Sequence, residues 1–306
     1  MKLADIWKGA LMHEMAMMIR KQFGEGDAIR DAGLTTPDDI ERFDEIAYGE
    51  EPYWQMLDVY RPKGTADDAG LPVIVSIHGG GWVYGDKDRY QWYCMNLAQR
   101  GFVVVNFTYR LAPEFQFPAS MEDTCAAFQW TVDNIAKYGG DADYIFAVGD
   151  SAGGHMLGLL CNMCTNPAYA AKFDFAPPAG FVPTAAAFNC AAFHIEVNDD
   201  PEDLTSALMA DYLPNGGDAN EIDMVNVVPH VTDAFPPSYI MTSDGDFLHD
   251  AAEPMAKLLR ELGVCHELHV YGGIGEQLGH VFHCNIKSED ARRCNDDECR
   301  CFKRFL

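Results

Sequence analysis

Basic residues are scarce in this chain. Its 306 residues include 22 Lys and Arg against 47 Asp and Glu, a formal charge of −25. So acidic a chain repels phosphates at long range. That excludes nucleic acid as an expected partner and disfavours docking on anionic membranes. Long apolar runs are missing too: none approaches the roughly 18 residues of a membrane span. Near the start, Asp5, Lys8, His13 and Glu14 interrupt what a secretory leader keeps apolar, so the reading is a cytoplasmic protein. No internal repeat, low-complexity tract or clear interdomain linker is visible. With 48% apolar and 23% charged residues, disorder, collagen-like repeats and a coiled coil are excluded.

Cysteine, by contrast, is plentiful, with ten residues. They are scattered through apparent helices and strands, and the chain is long enough to bury a full core without staples. Reduced, mostly buried thiols are therefore expected rather than a disulfide framework.

Apolar periodicity supplies the architecture. Leu3, Ile6, Trp7, Ala10, Leu11, Met15, Met18, Ile19 and Phe23 fall on one face of an amphipathic helix. Residues 24–50 are acidic and punctuated by Gly and Pro, which predicts irregular or short-helical structure. Gln55 to Tyr60 reads as an edge strand stopped by Pro62. Further strands are predicted at 73–77, 102–107, 144–148, 185–190, 238–242 and 268–271. Helices are predicted at 90–100, 118–137, 152–164, 251–263 and after Ser288. Strands alternating with helices mean an α/β fold with a mostly parallel sheet covered on both faces. The acidic segment 191–235 has little strand signal and reads as an insertion over one end of that sheet.

Two motifs carry chemistry. Gly149-Asp150-Ser151-Ala152-Gly153 fits G-x-S-x-G directly between a predicted strand and a predicted helix. So sharp a turn lifts the Ser151 hydroxyl clear of the backbone and sets it at a helix N-terminus, which favours developing negative charge. His78-Gly79-Gly80-Gly81-Trp82 follows another strand. Its glycines allow N–H groups to converge on one point, as an oxyanion requires. A phosphate-cradling loop is the competing reading, but the Gly-Lys-Ser/Thr ending and the G-x-G-x-x-G spacing are absent.

These motifs resemble the hormone-sensitive-lipase-like branch of the α/β-hydrolase family. Three more elements match in order: Tyr109-Arg110-Leu111-Ala112-Pro113-Glu114, the D-x-L-x-D block Asp246 to Asp250, and His280-Val281-Phe282. The resemblance covers roughly residues 50 to 306. It implies an α/β-hydrolase fold, carboxylesterase activity on short acyl esters, and a helical cap over the acyl pocket. It divides the chain into an N-terminal cap region, 1–50, and a catalytic domain, 51–306, with a cap insertion at about 191–235. It also implies that His78 shapes the glycine loop.

In this architecture the triad runs Ser, acid, His. Strand 238–242 is followed by Asp244, Asp246 and Asp250. Asp246 holds the motif position, Asp244 is the runner-up, and Asp250 is expected to cap the next helix. His280 follows the last strand, with His283 as competitor, while His155, His249, His266 and His269 read as structural. The expected site is therefore Ser151, Asp246 and His280, with an oxyanion hole from Gly80, Gly81 and Ala152. No cofactor or metal is expected. Cys161 and Cys164 lie too far along a helix to be a redox pair. Cys284, Cys294, Cys299 and Cys301 lack the paired spacing of a zinc site. The expected partner is a small-molecule ester, acetyl to butyryl. An amidase or formamidase on the same triad remains open. A non-catalytic binding relative is disfavoured because all three triad residues are present. Oligomeric state, a homo-oligomer included, is left open.

Overall fold

Val73 to Ile77 is apolar except for the buried Ser76 because both of its faces are covered. Val73, Val75 and Ile77 enter one core cluster and Ile74 the other. The same division separates Val103, Val105 and Phe107 from Val104, and Ile145 and Ala147 from Phe146 and Val148. Strands buried on both faces lose the alternation of a half-exposed sheet.

A computed structural model describes residues 14–198, 200, 203–272 and 277–306. The strands are β1 (Ile40–Ala47), β2 (Met56–Pro62), β3 (Leu71–Ile77), β4 (Val103–Phe107), β5 (Gly140–Asp150), β6 (Ala186–Asn189), β7 (Ser238–Ser243) and β8 (His266–Tyr271). The helices are α1 (Glu14–Asp31), α2 (Lys87–Ala98), α3 (Ala119–Asn134), α4 (Ala152–Thr165), α5 (Pro167–Ala170), α6 (Leu204–Tyr212), α7 (Ala219–Val225), α8 (Ala252–Glu261) and α9 (Glu289–Phe302). The strands form one sheet in the order β1-β2-β4-β3-β5-β6-β7-β8. β2 is antiparallel to both its neighbours, and every other pairing is parallel. The doubly covered, mostly parallel α/β fold is as expected.

Two expectations need correction. Residues 24–50 are not irregular: α1 continues to Asp31, and β1 follows. The sheet thus begins at Ile40, before the expected boundary at residue 51. Gly24 and Gly26, which suggested a break, lie inside α1. Each costs about 1 kcal/mol relative to Ala, which the docking of α1 offsets. Ala16 and Ile19 are buried, and Arg20 donates to the carbonyls of Val83 (2.8 Å) and Ala112 (3.0 Å) and pairs with Glu114. β1 was hidden by a bulge: the register shifts between Phe43 and Ile46, with Glu45 at φ 58°. An extra residue breaks the period of two that marks a strand. For the same reason β2 is interior, not an edge.

The predicted helix at 3–23 is present from Glu14 onward, and its residues 3–13 lie outside the described ones. Within 191–235 the described residues form α6, α7, a 3₁₀ turn at Val228–His230 and loops, with no strand. No helix among the described residues is long and apolar enough to cross a membrane.

Candidate active site

β5 ends at Asp150 and α4 starts at Ala152, so Ser151 alone makes the turn, at φ 51° and ψ −119°. A non-glycine residue holds that conformation only when its surroundings over-determine it. Here the Ser151 N–H donates to the Asn189 carbonyl (3.0 Å), and the Ser151 carbonyl accepts from His155 N–H (3.0 Å). The flanking glycine is required sterically: a Cβ on Gly153 would sit 2.1 Å from the Ile77 carbonyl oxygen.

The glycine loop leaves the end of β3 beside this turn. Gly80 has φ 122°, and a Cβ there would lie 2.1 Å from the Tyr84 carbonyl oxygen. Among the described residues, the N–H groups of Gly80 and Gly81 have no hydrogen-bond partner. Ala152, first in α4, has no intrahelical acceptor for its own N–H. Three donors thus stand unpaired around Ser151.

Two histidines brace this loop. The His78 ring stacks on Tyr109 at 4.0 Å, and the Tyr109 hydroxyl donates to the His78 carbonyl (2.8 Å). Trp82 Nε1–H donates to His155 Nδ1 (3.1 Å), so His155 carries its proton on Nε2 and donates to the Val225 carbonyl (2.6 Å). Burial lowers both imidazoles to about 4, which keeps them neutral. His155 joins the glycine loop, the serine helix and α7.

The acid and the histidine meet at the far side of the sheet's end. His280 Nδ1–H donates to Asp246 Oδ1 at 2.6 Å. The buried carboxylate also accepts from Leu248 N–H (2.9 Å) and the Thr242 hydroxyl (2.8 Å). Burial alone would raise the Asp246 pKa, but His280 and these two donors outweigh it and hold the group below its ordinary value. The runners-up lie elsewhere. Asp244 is exposed and accepts from Leu278 N–H (2.9 Å). His283 is fully buried, and burial lowers it to about 3, too low for a base at neutral pH. Asp250 does not cap α8: the chain enters through a 3₁₀ turn, and Asp250 pairs with His249 instead (3.0 Å). His266 bonds the Val264 carbonyl and His269 bonds Glu267, both away from Ser151.

Several neighbours are given no role by the sequence. Asp150 is buried behind the serine, where burial raises it to about 6 against the Tyr90 hydroxyl (2.7 Å). Cys190 lies with Asp246 and His280, their polar atoms within 4.8 Å of one another. Its thiol is held neutral by burial and by the Asp246 charge. Asn189, whose carbonyl anchors Ser151, donates from Nδ2 to Glu298 of α9 (2.6 Å). Glu298, raised to about 7 by burial, also accepts from Tyr93 (3.0 Å). These partners lie up to 205 residues apart, beyond any local pattern. All ten cysteines are free. Cys284 lies beside Asp150 and His283 and forms no four-thiol group with Cys294, Cys299 and Cys301. Burial raises the thiols of Cys161 and Cys164.

Two cavities open on the site, and Ser151 and His280 line both. The smaller, about 90 Å³, is walled by Gly81, Trp82 and Ala152 and roofed by Ile19 of α1 and Leu208 of α6. The larger, about 300 Å³, passes Gly80 toward the polar side of α1.

A serine on a strained strand-to-helix turn of a mostly parallel sheet is the ground plan of an α/β-hydrolase. The chain belongs to the alpha/beta hydrolase fold family, whose model matches residues 74–284. It is 34% identical over 222 residues to carboxylesterase NlhH of Mycobacterium tuberculosis, which covers 69% of this chain and 66% of that protein. It is 34% identical over 152 residues to ethyl acetate hydrolase of Pseudomonas putida, covering 49% of this chain and 43% of the relative. Among solved structures it is similar to an inhibited esterase B from Lactobacillus rhamnosis, with a TM-score of 0.86, 25% identity and 96% of each chain covered. The chain thus spans about two thirds of the length of the first of these relatives and less of the second.

Proposed function

We propose that this chain is a serine carboxylesterase acting on short acyl esters, acetyl to butyryl. The observation that carries the reading is the His280–Asp246 bond at 2.6 Å, with His280 and Ser151 walling the same cavities. His280 takes the proton of Ser151, whose hydroxyl oxygen attacks the ester carbonyl. Asp246 fixes the imidazole tautomer and stabilises the imidazolium. The oxyanion is received by the unpaired N–H groups of Gly80, Gly81 and Ala152. His280 then protonates the departing alkoxide. Water, activated by the same imidazole, releases the acid from the acyl-enzyme. Every step uses groups of this chain and water.

Acyl length follows from the smaller cavity. Each methylene it buries contributes ~0.8 kcal/mol, but about 90 Å³ closed by Leu208 and Ile19 fills quickly. α1 with α6 and α7 would act as the cap. The name of the ethyl acetate hydrolase relative supports a short acyl preference.

The test is a p-nitrophenyl ester series with a matched anilide. The expected kcat/KM is highest from acetyl to butyryl and falls steeply beyond, with the ester far ahead of the anilide. In Ser151→Ala, kcat falls by roughly 10⁴- to 10⁶-fold. A profile rising to twelve carbons contradicts the length assignment. Near-normal turnover by Ser151→Ala contradicts the mechanism.

A further inference from the structure

α9 carries two buried polar side chains, Asn295 and Glu298. Each is 1% exposed, and three residues apart they lie on one face of the helix. They reach the two halves of the site separately. Glu298 Oε2 accepts from Asn189 Nδ2 (2.6 Å), and the Asn189 carbonyl accepts from the Ser151 N–H (3.0 Å). Asn295 Nδ2 donates to the carbonyl of His283 (3.3 Å), in the 3₁₀ turn Phe282–Cys284 that follows His280. Tyr93 of α2 touches both. Its hydroxyl donates to Glu298 Oε1 (3.0 Å), and its ring meets the His283 ring edge-on at 4.9 Å.

Asn189 needs such a hold. It ends β6, a strand of four residues. It also stands between two residues of positive φ: Cys190, next in the chain (φ 49°), and Ser151, bonded to it (φ 51°). Strained conformations persist only where the surroundings over-determine them. Asn189 Oδ1 is buried without a partner among the described residues. The amide is therefore held through Nδ2 alone, by Glu298 and by the Tyr93 hydroxyl (3.3 Å). Glu298 itself is buried against neutral donors, an unfavourable place for a carboxyl. An apolar residue would avoid that penalty but could not hold Asn189.

Resting on the reading of Ser151 as nucleophile and His280 as base, we propose that Glu298 is a positioning residue for the reaction. Through Asn189 it holds the Ser151 turn where the hydroxyl proton can pass to His280. Glu298 touches neither substrate nor the reacting atoms. Asn295, on the same helix face, ties the His280 loop to the same frame, so both ends of the proton transfer are referred to α9. A misplacement of about 1 Å in such a pair can slow the chemical step by about 10²-fold.

The experiment measures kcat and KM for p-nitrophenyl butyrate, with kcat expressed per Ser151 titrated by a fluorophosphonate, so that unfolded chains do not count. In Glu298→Met, kcat per titrated site is expected to fall about tenfold or more. KM should stay within about twofold, since the lost hold acts on the chemical step rather than on binding. The rate of fluorophosphonate labelling should fall in parallel, because it needs Ser151 and His280 but not the ester. In Glu298→Gln the amide oxygen can accept from Asn189 and its nitrogen can donate to the Tyr93 hydroxyl, so kcat should stay within about threefold of the parent. Asn189→Ala removes the same bond from the other side and decides the matter if Glu298→Met fails to fold. The double variant should lose no more than either single one, because the bond is already gone. An unchanged kcat per titrated site in Asn189→Ala, and in Glu298→Met where it folds, overturns the positioning role and leaves the esterase reading intact. So does a loss in Glu298→Gln as large as in Glu298→Met. A parent protein that neither turns over the ester nor takes the label overturns the esterase reading itself.

Discussion

Asp246 is buried yet held below its ordinary pKa, because His280, Leu248 N–H and Thr242 all donate to it. At the residue scale this separates it from Asp244, two positions away, which is exposed and accepts from the loop N–H of Leu278. Asp246→Asn forces the wrong imidazole tautomer and is expected to lower kcat by about 10⁴-fold. Asp244→Asn should keep most activity. The reverse outcome in the same ester assay would move the acid. Likewise His280→Ala should be far worse than His283→Ala, since burial keeps the His283 ring neutral. Ser151, Asp246 and His280 could be picked out as candidates because each lies past a strand and carries its own short motif. Cys190 and Glu298 carry no such mark, because their places come from strand order and from the return of α9, which no local spacing records. Asp150 lies inside the serine motif, but its burial against Tyr90 joins residues 60 apart.

At the scale of elements, the glycine loop is tied to its surroundings by single bonds. Trp82 Nε1–H to His155 Nδ1 joins it to α4. Trp82→Phe leaves a buried acceptor unpaired, which costs about 1–3 kcal/mol. Urea unfolding should show that loss as a lower midpoint with an unchanged slope. A stability equal to the parent would mean the bond contributes nothing. The doubly covered strands were readable as apolar runs, whereas β1 was not. Its bulge at Glu45 shifts the phase of Phe43 against Ile46, so alternation fails although the strand forms. α1 was cut short by the same kind of reading. Its glycines weaken helix propensity locally, and tertiary bonds from Arg20 and Arg30 decide the matter.

Across the whole molecule, buried titratable groups pull stability in opposite directions with pH. His78 and His155 are lowered to about 4 and His283 to about 3, each by burial. As pH falls from about 6.5 the unfolded chain takes up protons that the folded chain refuses, so their effect is to lower stability toward acid. Asp150 and Glu298 are raised to about 6 and about 7, also by burial. The folded chain keeps their protons after the unfolded chain has lost them. Their cost therefore grows as pH rises from about 4 to about 7 and is complete above that. Glu298→Gln keeps the side chain neutral at every pH. Its Tm relative to the parent should rise between pH 4.5 and pH 8. A Tm difference that stays flat or falls over that range would show that Glu298 is not held protonated by its burial.

In the proposed function Ser151 forms the covalent intermediate. Intact-protein mass spectrometry after treatment with a small fluorophosphonate tests it most directly. One adduct per chain is expected, mapped to the peptide holding Ser151, abolished in Ser151→Ala and much slowed in His280→Ala. No adduct on the active protein, an adduct on another residue, or undiminished labelling of Ser151→Ala would contradict the account.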